Sequence, residues 1–208
     1  MGTSVTPVTA CPGHVVEWTT VTNRPSTLAR SLTDALRDCV ILDCETTGLD
    51  PENDRIIEVA AVHLVDGEIE ESIHSLVDPG RPLPRVITEL TGVTDHDLAG
   101  QPSAPSVLGD LVRLTAGRIL VGHNVSFDIA FVDGELDREG QTGLEVVSTL
   151  CTAESARELI PREQVGRYRL DRLADVLELR HSPVHRAHED VLATADLLRW
   201  LQSAATAR

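Results

Sequence analysis

The stretch Cys39-Val40-Ile41-Leu42-Asp43-Cys44-Glu45-Thr46-Thr47-Gly48-Leu49 decides how the chain is organised. Cys39 to Leu42 is a short apolar run, the pattern of a buried central strand, and it delivers carboxylates at its end. Side chains alternate faces along a strand, so Asp43 and Glu45 point to one side and Cys44 to the other. Two carboxylates converging at a strand end could share a hard divalent cation, whose binding relieves their repulsion. The plainer alternative is a strand that runs out into a polar turn.

Working outward, Leu28, Leu32, Ala35 and Leu36 recur at helical spacing and predict an amphipathic helix from Ser26 to Arg37 that leads into the strand. On the other side, Arg55 to Val65 and Glu68 to Val77 flank Asp66-Gly67, a dipeptide suited to a tight hairpin, so these are expected as antiparallel strands. A Pro-rich loop, Asp78 to Pro84, precedes a helix from Ser106 to Leu114 and a strand from Arg118 to Gly122. A helix from Asn124 to about Glu139 follows, with Asn124 or Ser126 as its N-cap. Glu145 to Val147 is expected as a fifth strand, and Thr152–Leu159, Leu170–Leu179 and Arg186–Leu201 as helices. The expectation is an α/β fold, a single domain with a mixed sheet of about five strands covered by helices. Residues 1–24, without strand or helix periodicity, are expected to be a flexible extension before a domain spanning 25–208.

Composition narrows the chemistry. The chain has 208 residues, of which 18 are basic and 33 acidic, for a formal net charge of −15. There is no Lys, which excludes a P-loop lysine and a Schiff-base lysine. Cys11, Cys39, Cys44 and Cys151 form no Cys-x-x-Cys pair, so they are expected as reduced, structural residues. No apolar run approaches the roughly 20 residues needed to span a bilayer, and no signal peptide opens the chain, so the expected location is cytoplasmic, away from membranes. An acidic chain is a poor candidate for coating nucleic acid by bulk charge, but it can meet phosphate through bound cations.

Two further signals stand at predicted strand and helix ends. Gly122-His123-Asn124-Val125-Ser126-Phe127-Asp128 leaves an apolar strand for a helix, with Asp128 near the first turn. His185-Arg186-Ala187-His188-Glu189-Asp190 opens the last helix, where His185 and Asp190 share a site if the histidine sits at or before the helix start. Taken singly, Asp128 is an ordinary dipole or capping residue, Phe127 a core residue, and His185 a surface or capping histidine. His188 is expected to face solvent, and His123 to orient the strand end.

In combination and in order, Asp43-x-Glu45-Thr46-Thr47-Gly48, Asn124-x-x-Phe127-Asp128 and His185-x-x-x-x-Asp190 resemble the DEDD exonuclease superfamily in its histidine-bearing, DnaQ-like branch. The resemblance runs from about Cys39 to Leu201 and includes Ile87-Thr88-Glu89-Leu90-Thr91-Gly92-Val93-Thr94. The tyrosine-bearing branch does not fit, because the only tyrosine, Tyr168, has Arg172 four positions on. The resemblance implies a ribonuclease-H-like five-stranded mixed sheet flanked by helices. It also implies that Asp43, Glu45, Asp128 and Asp190 hold two divalent cations, Mg2+ or Mn2+, with His185 as the general base.

Contacts to the terminal nucleotide are implied for Thr46, Gly48, Leu49, Asn124 and Phe127. Since Thr46 shares the face of neither acid, its backbone is expected to matter more than its hydroxyl. The implied activity is 3′-5′ exonucleolytic hydrolysis of single-stranded ends with release of nucleoside 5′-monophosphates, on DNA ahead of RNA. An exoribonuclease is the alternative, and a non-catalytic nucleic-acid- or polymerase-binding module the reading from another class. The chain ends shortly after Leu201, so a polymerase-binding tail is not expected, although a polymerase or other protein partner stays open.

Residue types follow from the chemistry as well. Phosphodiester hydrolysis builds negative charge on the attacking and leaving oxygens, which two cations about 4 Å apart can stabilise together. An imidazole, with an unperturbed pKa of about 6.5, can take a proton from water at neutral pH.

Overall fold

The computed structural model describes residues 26–207. The extension expected over residues 1–24, and Cys11 with it, lie outside them. The chain opens on helix α1 (Thr27–Arg37), capped by the Ser26 hydroxyl, which accepts from the Ala29 amide at 3.1 Å. Three strands follow, β1 (Asp38–Thr46), β2 (Ile56–Val65) and β3 (Glu68–Leu76), then the helices α2 (Arg85–Thr91), α3 (Asp95–Leu98) and α4 (Ala104–Thr115). Strand β4 (Ile119–Gly122) leads into α5 (Val125–Arg138), and β5 (Ser148–Cys151) into α6 (Thr152–Leu159), α7 (Arg162–Val165), α8 (Leu170–Val176) and α9 (Ala187–Thr206).

The sheet order is β3-β2-β1-β4-β5, antiparallel between β1, β2 and β3 and parallel between β1, β4 and β5. The expected hairpin is present: Val65 pairs with Glu68, and both intervening residues have positive φ, 49° at Asp66 and 82° at Gly67. That backbone turn matches the twist of the strands, and Gly adopts it without a Cβ penalty.

Alternation along β1 splits the core into two layers. Cys39 and Ile41 pack with α1, α6 and α9, whereas Val40, Leu42 and Cys44 pack with α4 and α5. The face carrying Cys39 and Ile41 continues to Asp43 and Glu45, so both acids emerge on the α9 side where β1 runs past the ladder with β4.

The expected elements are displaced in a few places. The fifth strand is Ser148–Cys151 rather than Glu145–Val147. The earlier residues already lie beside β4, with Gly117 donating to the Glu145 carbonyl and Val147 to that of Arg118. Yet Val147 is exposed, and paired residues begin at Ile119 and Ser148. Helix α8 stops at Val176, near Glu178 with φ 52°, and α9 continues past Leu201 to Thr206, burying Ala205. The short helices α2, α3 and α7 carry too few turns to show a hydrophobic period. Asn124 does precede α5, but its side chain makes no capping bond. Cys39, Cys44 and Cys151 are free thiols.

Phe131 on α5 is fully buried in the layer under β1 and is among the largest side chains there. Truncation to Ala leaves a cavity between α5 and the sheet, so Phe131→Ala is expected to lower unfolding free energy by about 3–5 kcal/mol in urea titration.

Candidate active site

Three chain segments meet at the carboxyl half of β1. The strand supplies Asp43 and Glu45, α5 supplies Asp128 from its first turn, and α9 supplies Asp190 from its own first turn. Asp128 is anchored to the strand, its Oδ1 accepting from the Cys44 amide at 3.0 Å. Asp190 Oδ1 accepts from the Val184 amide at 2.9 Å, which ties α9 to the loop that carries His185.

His185 precedes the helix with φ 57°, in the left-handed region that a non-glycine residue rarely adopts. Glu45, His185 and Asp190 each bring one ligand atom to within 4.8 Å of the others. Asp43, His185 and Asp190 also line a common cavity of about 560 Å3. All five residues singled out by the sequence pattern are therefore brought to one place.

Electrostatics mark the same place. Burial pushes the Asp43 carboxyl well up, and the neighbouring Asp128, Asp190 and Glu45 push it further. Burial, then Asp190, Glu58 and Asp128, raise Glu45 to about 8, with Arg186 opposing. Burial raises Asp128 to about 8 against the hydrogen bond from Cys44, and raises Asp190 against those from Val184 and Arg186. Ionised together, these acids repel each other. The donor set of four carboxylates fits a hard, oxygen-ligated divalent cation, and the adjoining imidazole is compatible with Mn2+.

The other residues singled out are arranged around the turn after β1 and the start of α5. Thr46 is buried, and its hydroxyl donates to the Gly48 carbonyl at 2.6 Å, which closes the turn. A Cβ on Gly48 would overlap the Asp54 carboxylate, which accepts from the Thr47 hydroxyl and the Asp50 amide, each at 3.0 Å. Leu49 is 85% exposed at the turn, an unusual position for a large apolar side chain. Asn124, with φ 74°, lines the cavity, and Phe127 packs on Phe131 with ring centroids 4.8 Å apart. His123 does brace the strand end, its Nδ1 3.0 Å from the Thr152 hydroxyl and its Nε2 2.9 Å from the Tyr168 carbonyl.

Sequence reasoning missed a buried ion pair behind the acids. Glu58 on β2, the cross-strand partner of Glu45, is fully buried. Its Oε2 accepts from Arg186 Nε at 2.8 Å and its Oε1 from Arg186 Nη2 at 3.1 Å, while His74 Nε2 lies 2.7 Å from Oε1. Burial alone would raise this carboxyl, but the hydrogen bonds from Arg186 and His74 outweigh it and the net shift is downward. The available signal was a lone carboxylate inside the apolar run Ile56-Ile57-Glu58-Val59-Ala60. His188 is half-buried rather than solvent-facing, its ring 5.2 Å from that of His74.

Two expectations follow. Glu45 and Asp128 have folded-state values near 8, above those of the unfolded chain, so their contribution to stability is present at low pH and lost as pH rises through about 8. Cation-free protein should therefore lose thermal stability between about pH 5 and about pH 8, and Asp43→Asn should flatten that loss in melts recorded across the range. Arg186→Ala leaves Glu58 buried with His74 alone, and should cost about 3 kcal/mol in chemical denaturation, the low end for breaking a buried pair.

Known proteins with similar sequences and folds carry this arrangement into a family. The sequence model of the exonuclease family RNase_T matches residues 40–198. Among curated relatives, the PolC-type DNA polymerase III of Clostridium perfringens is 38% identical over 161 residues, covering 77% of this chain and 11% of that protein. The 3′-5′ exonuclease DinG of Bacillus subtilis is 34% identical over 156 residues, covering 74% of this chain and 16% of that protein. The chain thus spans only a small part of the length of these relatives. Of solved structures, Exonuclease X in complex with 5′ overhanging duplex DNA superposes with a TM-score of 0.62 at 27% identity, covering 79% of this chain and 91% of that one. E. coli Exonuclease I in complex with a dT13 oligonucleotide shares the fold, with a TM-score of 0.71 at 18% identity over 82% of this chain and 42% of that one. Since the matched span covers most of the chain and contains Asp43, Glu45, Asp128 and Asp190, the chain belongs to the RNase_T family of DnaQ-like exonucleases.

Proposed function

We propose that this domain is a 3′-5′ exonuclease that hydrolyses the terminal phosphodiester of single-stranded DNA and releases nucleoside 5′-monophosphates. The observation that carries the proposal is a cluster in which Asp43, Asp190 and His185 line one cavity, Glu45 lies within reach of His185 and Asp190, and Asp128 acts on Asp43. DNA is favoured over RNA because the relatives include DNA polymerases and the similar structures include complexes with DNA.

Asp43, Glu45, Asp128 and Asp190 would hold two divalent cations, Mg2+ or Mn2+, which supply charge stabilisation at the attacking and leaving oxygens and acidify a water molecule. His185 takes the proton from the attacking water at a ring nitrogen, as its place at the rim beside Glu45 and Asp190 allows. Its left-handed backbone fixes the direction from which it can do so. The backbone of Thr46 and Gly48 receives the terminal nucleotide, and exposed Leu49 packs on its base or sugar. Asn124 contacts the same nucleotide from the cavity wall, with Phe127 supporting the start of α5. Polymerase association is proposed only by analogy with the PolC-type relatives.

Among the described residues, no helix is long and apolar enough to cross a membrane.

Digestion of matched 5′-labelled DNA and RNA oligonucleotides tests the proposal. A ladder shortening from the 3′ end with Mn2+ or Mg2+, and none with EDTA, is the expected result, with DNA consumed faster than RNA. His185→Ala should slow it roughly 10²- to 10⁴-fold, and Asp43→Ala at least as much. Absence of shortening with either cation would refute the activity, and faster loss of RNA would reassign the substrate.

A further inference from the structure

The cavity beside the catalytic cluster extends well beyond the space that the acids occupy. Asp43, Asp190 and His185 stand at one part of its lining, and Arg157, Tyr168 and Arg169 form another. The Arg157 guanidinium carbon lies 5.7 Å from the centroid of the Tyr168 ring. That ring is itself held at both ends of the residue. Its hydroxyl donates to the Ile160 carbonyl at 2.7 Å, and the Tyr168 carbonyl lies 2.9 Å from His123 Nε2.

Among the described residues, Arg157 has no carboxylate within ion-pair distance, whereas Arg169 Nε lies 3.2 Å from Asp171 Oδ1. A chain of net charge −15 repels a polyanion overall, so an Arg on a fixed aromatic platform in the cavity wall supplies a local positive potential.

We propose that Arg157, stacked on Tyr168, binds a backbone phosphate of the single strand on the 5′ side of the bond being cleaved. This rests on the exonuclease reading above and deepens it by assigning the strand's path. A planar guanidinium offers paired donors to phosphate oxygens, and its stacking on Tyr168 limits the freedom lost on binding. Arg169, shared with Asp171, can contribute to the next phosphate. Because the contact is to phosphate, it grips strands without reading sequence.

Fluorescence anisotropy tests this with a 5′-labelled oligothymidylate of about ten nucleotides, its terminal 3′ linkage a phosphorothioate to hold off hydrolysis, and Mg2+ present throughout. Arg157→Ala should weaken binding roughly 10-fold, as expected for a lost charged hydrogen bond. It should also reduce the slope of log affinity against log salt by about 0.7, the value for one phosphate on a single strand. Arg157→Lys should keep the slope and lose part of the affinity. Thymidine 5′-monophosphate, competed against the labelled strand, has no second phosphate and should lose much less affinity than the oligomer does.

Unchanged affinity and slope in Arg157→Ala, an equal loss for monophosphate and oligomer, or no binding by the wild type would each overturn the assignment. The exonuclease reading is tested separately, by shortening of an all-phosphate strand. A wild type that binds through Arg157 without shortening such a strand would refute that reading and still support this contact.

Discussion

Carboxylates that repel one another must be held together at a sheet end, and much of the architecture serves that constraint. Asp43 and Glu45 have no freedom to separate, since both sit on one strand and one face. Asp128 is pulled toward them by the Cys44 amide, and Asp190 is held by the amide of Val184. Burial, and for Asp43 and Glu45 the neighbouring acids as well, raises these carboxyls above the usual carboxylate range. What makes the arrangement tolerable is the apolar sheet behind it, with Val40, Ile41 and Leu42 of β1 all but completely buried between the two helical layers.

The Glu58–Arg186–His74 cluster answers a related problem one strand away. Arg186 is next to His185 in sequence, so its bidentate bond to a fully buried carboxylate on β2 fastens the residue beside the proposed base to the sheet. The same guanidinium opposes the upward shift of Glu45. A single basic side chain thus links a loop, a strand and the acidic cluster, and the strong geometry of an Arg–carboxylate fork suits it to that position.

Charge is distributed unevenly in a way that composition hides. The net charge of −15 argues against binding nucleic acid by bulk attraction, yet cations are kept where they act locally. Arg186 is spent on Glu58, and Arg55 is spent on buried Glu135, with Nε to Oε1 and Nη2 to Oε2 both at 2.8 Å. Arg157 is stacked on Tyr168 in the cavity wall, where its charge stays available to an incoming anion.

Sequence alone singled out the proposed site residues, because each sits at an element end that local patterns reveal and their order resembles that of a known family. An apolar run that stops at Asp43, an Asp four residues after Asn124, and a His five residues before Asp190 are all visible without coordinates. The hairpin at Asp66-Gly67 and the buried stripe of α9 were equally legible, since turn chemistry and helical period act over a few residues. Tertiary structure alone decided what depends on distant partners. Glu58 and Arg186 are 128 residues apart, and nothing local links them. The fifth strand lies at Ser148–Cys151 because the register with β4, rather than apolar character, sets where pairing begins. His188 meets His74 across the sheet from a position 114 residues on in the chain, and the Arg157–Tyr168 contact exists only because the loop after α7 folds back toward α6.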